Sequence, residues 1–232
     1  MILSRRHFLG CACCAGAALA LPPQAPAAGG PRTSLTPDQA LAALKEGNDK
    51  FITDAPFRGV QGRERRVEIA RGQAPLAVLV SCSDSRVPPE LLFGRGLGEL
   101  FIVRNAGNTV DTTALGSIQY AVAELGVPLV LVLGHERCGA VDAAVKVVKD
   151  NATFPGAIGQ MIEPILPAVI KAQAQSGDLL DNAVRENVRR VVSRLRSATE
   201  PLLLEPQRAG KLRIVGARYD LEDGDVDFFD EK

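Results

Sequence analysis

Leu129-Val130-Leu131-Val132-Leu133-Gly134-His135-Glu136-Arg137-Cys138-Gly139 is the stretch that decides both the fold and the place of the chemistry. Five consecutive apolar residues are expected of a strand buried on both faces. Polar residues with metal-ligand chemistry follow at once, and His135 and Cys138 fall at i and i+3 on the opening turn of a helix.

Three similar runs lie on either side: Leu76-Ala77-Val78-Leu79-Val80, Leu100-Phe101-Ile102-Val103 and Leu212-Arg213-Ile214-Val215-Gly216-Ala217. Residues 112–125 have apolar residues at helical spacing and stop at Gly126. A long helical region is predicted over about 157–199. Residues 220–227, with Gly224, read as a turn into a final edge strand. The alternation predicts an α/β fold: a mostly parallel central sheet of four parallel strands plus an antiparallel edge strand, flanked by helices. Ahead of it, Thr36 as N-cap and Pro37 at the first helical position open an amphipathic helix through about Phe51. A second, polar helix is predicted over 62–72, giving an N-terminal helical arm.

Residues 1–27 read as an export signal. Arg5-Arg6 precede an uncharged run from Gly10 to Leu21, then the small-x-small pattern Ala25-Pro26-Ala27. The paired arginines before Phe8-Leu9 resemble the twin-arginine signal, whose pathway carries folded cargo. The expected product is periplasmic or secreted, without a stable membrane anchor after cleavage. A linker over 28–34 and a single domain over 35–232 complete the predicted organisation. Formal net charge is zero over 232 residues, which provides no field to recruit nucleic acid or an anionic membrane. With Arg5 and Arg6 removed, 25 basic residues face 27 acidic ones.

Loss of the signal removes Cys11, Cys13, Cys14 and His7, leaving Cys82 and Cys138 as the remaining thiols and His135 as the remaining imidazole. All three lie at strand ends, where open parallel sheets place their sites. Zinc prefers thiolate and imidazole in a tetrahedron. Cys82, His135 and Cys138 can supply three ligands, leaving the fourth position to water or to Asp84. Arg86 can hold Asp84 in a bidentate pair and keep it off the metal. Two other readings of the same residues stay open: ordinary core packing, and a structural zinc site closed by Asp84. A redox dithiol is disfavoured because no Cys-x-x-Cys pair is present.

Cys82-Ser83-Asp84-Ser85-Arg86-Val87, Arg104-Asn105-Ala106-Gly107-Asn108 and His135-Glu136-Arg137-Cys138-Gly139-Ala140 resemble, in order, three blocks of the β-class carbonic anhydrases. The resemblance runs over about 35–220. It implies one Zn2+ per chain on Cys82, His135 and Cys138, with Asp84 and Arg86 as a catalytic dyad and Asp84 as a metal ligand in a closed form. It implies reversible hydration of CO2 to bicarbonate by zinc-bound hydroxide that the dyad orients. It places Val87, Gly139 and Phe101 of the partner subunit at the substrate pocket, and implies a homodimer or homotetramer. Alternatives on the same zinc site are COS or CS2 hydrolysis and a non-catalytic zinc-stabilised binding protein. Many relatives carry a Gln in the loop after the first block. Here Phe93-Gly94-Arg95-Gly96-Leu97-Gly98 stands in its place, leaving substrate orientation to backbone groups or Arg95. The chain also has no Trp, which disfavours the inhibitory bicarbonate site that uses one in some relatives.

Overall fold

The structure, a computed structural model, describes residues 30–231. The predicted export signal therefore lies outside the described residues. Residues 30–36 carry no regular structure.

Helix α1 (Pro37–Phe51) begins with a full capping box. The Thr36 hydroxyl accepts from the Gln39 N–H, and the Gln39 side chain accepts from the Thr36 N–H. Its face of Ala40, Leu41 and Leu44 is buried. Helix α2 (Arg63–Ile69) buries none of its residues. Five strands form one sheet: β1 (Ala77–Cys82), β2 (Leu100–Asn105), β3 (Leu129–His135), β4 (Arg213–Tyr219) and β5 (Val226–Asp230), in the order β2-β1-β3-β4-β5. The first four are parallel, and β5 pairs antiparallel with β4.

The two faces of the sheet hold separate cores. Val78, Val80, Val103, Val130 and Val132 pack under α4 (Thr112–Ala123) and α8 (Leu179–Arg196). Ala77, Leu79, Leu129, Leu131, Leu133 and Val215 pack under α1 and the short α3 (Pro89–Leu92). Burial on both faces explains why these strands read as continuous apolar runs. Helix α8 lies close against the sheet because β3 and β4 present glycines to it. A Cβ on Gly134 would stand 2.7 Å from Val188, and one on Gly216 2.9 Å from the same side chain.

The predicted helical region over 157–199 is not continuous. It comprises α6 (Ala157–Ile162), a 3-10 turn (Glu163–Ile165), α7 (Leu166–Ala172) and α8. Pro164 and Pro167 lack the N–H that a helix interior needs, and they start new turns instead. Gly177, at φ +98°, turns the chain before Asp178 caps α8. Helices α5 (Gly139–Asp150) and α9 (Pro201–Arg208) complete the described elements.

Asn48 ties the arm to the body of the protein. Buried on α1, it donates to the Gly224 carbonyl at 2.9 Å and accepts from the Val226 N–H at 2.9 Å. Each buried backbone group left unpaired costs about 1–3 kcal/mol. Asn48→Ala is therefore expected to lower the urea midpoint of unfolding by the equivalent of about 2–4 kcal/mol, without loss of native secondary structure before the transition.

Candidate metal centre

Strand β1 pairs with β3 from Val78 opposite Val130 to Ser81 opposite Leu133, which brings both carboxyl ends to one edge. Cys82 ends β1, His135 ends β3, and Cys138 is the N-cap of α5, at the end of that helix that favours negative charge. Their donor atoms all lie within 4.8 Å of one another, and all three residues are buried. The two Sγ atoms are 4.0 Å apart. Two thiolates on one tetrahedral zinc, at about 2.3 Å each, stand about 3.8 Å apart.

The imidazole is presented in one tautomer. His135 Nδ1 lies 2.9 Å from the Glu136 carbonyl, which can only accept, so Nδ1 carries the proton. Nε2 is left with its lone pair, buried and without a partner. A buried acceptor between two thiols is the donor set that zinc requires, and the residues fit that ion. The Cys138 thiol beside it, with the Gly107 N–H, outweighs burial and draws the Cys82 thiol well below its ordinary range. Its neighbour Cys82, together with burial, pushes the Cys138 thiol up. Without a cation the pair gives up one proton readily and the second reluctantly.

Asp84 is turned toward Arg86. The guanidinium donates from Nε to Oδ1 at 2.9 Å and from Nη2 to Oδ2 at 2.8 Å, and the Arg86 backbone N–H also donates to Oδ1 at 2.9 Å. The Arg86 side chain, with that N–H, overcomes partial burial and holds the Asp84 carboxyl well below the usual carboxylate range. Oδ2 lies 3.9 Å from His135 Nε2, too far for a hydrogen bond. Arg104 straps the same loop from β2, donating to the Cys82 carbonyl at 2.8 Å and the Asp84 carbonyl at 2.7 Å.

The remaining predicted positions fall into three environments. Gly139 is exposed, with open space where a Cβ would stand. Val87 is fully buried in the core under α1, behind the dyad loop. Phe101 lies half-buried on edge strand β2, its ring 6.3 Å from that of Tyr120. Arg95, a candidate for substrate orientation, is engaged elsewhere. It donates to the carbonyls of Phe93 and Ala43 and so docks α1. Arg104 and Gly107 had no role in the sequence reading although they stand in a quoted block, and their bonds to Cys82 supply one.

A family profile described as carbonic anhydrase matches residues 77–226, which span the three ligands and the dyad. The chain belongs to that family. Carbonic anhydrase 2 of Mycobacterium tuberculosis is 40% identical over 188 residues, covering 81% of this chain and 90% of that protein. The carbonic anhydrase of Mycolicibacterium smegmatis is 38% identical over 191 residues, covering 82% and 92%. Among solved structures, a tetrameric β-carbonic anhydrase of Sordaria macrospora superimposes with a TM-score of 0.63 at 26% identity, covering 70% of this chain and 84% of that one. The parallel sheet with its antiparallel edge is thus that of the β-class carbonic anhydrases.

Gly107, at φ +79°, holds a conformation that costs an L-residue about 1–2 kcal/mol. A Cβ there would also stand 2.6 Å from Ile165 Cδ1. Gly107→Ala is expected to reduce stability by about 1–3 kcal/mol, read as a lower denaturant midpoint at unchanged m-value.

Proposed function

We propose that this carbonic anhydrase catalyses the reversible hydration of CO2 to bicarbonate and a proton, with one zinc ion per chain held by Cys82, His135 and Cys138. One observation carries the reading. The buried, unpartnered Nε2 of His135 stands with two thiols 4.0 Å apart, beside a carboxylate whose two oxygens are both engaged by Arg86. When bound, zinc supplies a Lewis acid that brings the pKa of water to roughly 7.

The protein's own groups would do the rest. Glu136 fixes the tautomer that leaves Nε2 available. Arg86 keeps Asp84 ionised and turned from Cys82, His135 and Cys138, so that Asp84 would leave room for water beside a bound ion. Asp84 then serves as a hydrogen-bond acceptor for the attacking water, turning its lone pair toward the carbon of CO2. Anions that cannot donate a hydrogen bond are disfavoured at the same place. The paired arrangement of Asp84 supports this open reading over a structural site that Asp84 closes. Beyond residue 27 His135 is the lone imidazole, so the released proton passes through water to buffer, or through Asp84.

Gly139 leaves room at the mouth of the site for a small linear substrate, and Val87 backs the wall behind Asp84. Phe101 of the partner subunit completes the pocket in a homodimer or homotetramer, a reading supported by its edge position and by the tetrameric Sordaria relative. The Arg5-Arg6 signal supports export in folded form to the periplasm or beyond.

Stopped-flow CO2 hydration tests the proposal. Protein with one zinc per chain is expected to turn over rapidly above pH 8, to lose activity when a chelator removes the metal, and to regain it with added zinc. A zinc-replete protein without turnover would overturn the assignment. Asp84→Asn, which keeps the shape and loses the charge, is expected to lower kcat/KM by roughly 10- to 100-fold while leaving zinc content at one per chain.

A further inference from the structure

The loop after β2 touches the candidate metal centre, and α8 anchors it at two carbonyls, Asn187 donating to Gly107 and Arg194 to Val110. Gly107 N–H donates to Cys82 Sγ at 3.3 Å. The loop is partly self-supporting: Asn105 Nδ2 donates to the Thr109 carbonyl at 2.7 Å, and the Asn108 N–H to the Asn105 carbonyl at 3.2 Å. Its two central residues, Gly107 and Asn108, are both left-handed, at φ +79° and +45°. Left-handed geometry in a non-glycine residue persists where its surroundings over-determine it.

Asn187 supplies that determination. It is 1% exposed, lies eighty residues away in sequence, and donates from Nδ2 to the Gly107 carbonyl at 2.8 Å. Its own helix is clamped one residue earlier. Glu186, 5% exposed, accepts from Lys171 at 2.7 Å, Gln175 at 2.9 Å and Arg189 at 2.8 Å, joining α8 to α7. The anchor is therefore held from both sides of the polypeptide.

We propose that Asn187 is a positioning residue for the metal centre: by holding the Gly107 carbonyl it keeps the Gly107 N–H aimed at Cys82 Sγ, and so tunes that sulfur as a zinc ligand. The inference rests on the reading of Cys82 as a ligand. Removing the anchor strands a buried carbonyl and frees the peptide on its other side to rotate. The sulfur then keeps its place and loses its donor. Outer-shell partners of this kind typically change metal affinity by about 10- to 100-fold.

The test compares full-length wild-type protein with Asn187→Ala, the near-isosteric Asn187→Asp, and Val192→Ala. Val192 is buried on the same helix, packs on the sheet, and has no bond to the loop. Zinc affinity is read by chelator competition, and the thiolate-to-cobalt charge-transfer band is read after cobalt loading. Both Asn187 variants are expected to bind zinc about 10- to 100-fold more weakly and to shift the band to longer wavelength. Val192→Ala should lose stability with affinity and band unchanged. Unchanged affinity and band in the Asn187 variants, or equal losses in Val192→Ala, would overturn the proposal. Should neither Asn187 variant fold, wild-type protein loaded with NMR-active cadmium decides: coupling between the metal and the Gly107 amide proton is expected, and its absence overturns the proposal. A wild-type chain that binds no zinc would instead remove the underlying assignment of Cys82, which separates the two failures.

Discussion

A buried imidazole lone pair without a partner is the constraint on which the rest of this molecule depends. An acceptor removed from water costs free energy unless something satisfies it, and His135 Nε2 has no protein donor. Its surroundings are arranged around that vacancy in bonding. The Glu136 carbonyl occupies the other ring nitrogen, two thiols stand alongside, and the one nearby carboxylate is committed to an arginine. A cation with affinity for sulfur and nitrogen would satisfy all of these groups together.

The sheet serves this requirement through geometry. Parallel neighbours β1 and β3 end together, and the turn after β3 leads directly into α5, so three ligands need only two strand ends and one helix cap. Arg137, at φ +50°, allows the tight passage from His135 to Cys138, and its side chain reaches Glu222 beyond β4. Glu136 likewise accepts from the Leu221 N–H. The ligand turn is thereby fastened to the far side of the sheet, and Arg104 fastens the dyad loop on the near side.

Sequence carried the frame well and pointed to the three buried donors that the fold brings together, for reasons particular to this chain. Strands buried on both faces announce themselves as unbroken apolar runs, and the capping box at Thr36 marks α1 to the residue. The candidate donors were legible because few thiols and imidazoles remain beyond residue 27, and all fall at or just after strand ends. The helical region after residue 156 was less legible: apolar spacing persists across Pro164, Pro167 and Gly177, although the backbone breaks there. Short α3 and α9 have too few residues for periodicity to declare them. Asn187 was beyond reach, since its meaning comes from a carbonyl eighty positions away.

The β1–β3 pairing also has a consequence in time. Forty-six residues lie between Cys82 and Leu129, the first residue of β3, and a parallel pair closes only after its crossover has been threaded. Such non-local contacts form late and slowly during folding. Cys82 can therefore meet His135 and Cys138 only once the central sheet has assembled, and an ion held by all three would mark a chain that has finished folding. An ion that binds this finished state alone draws the population toward it.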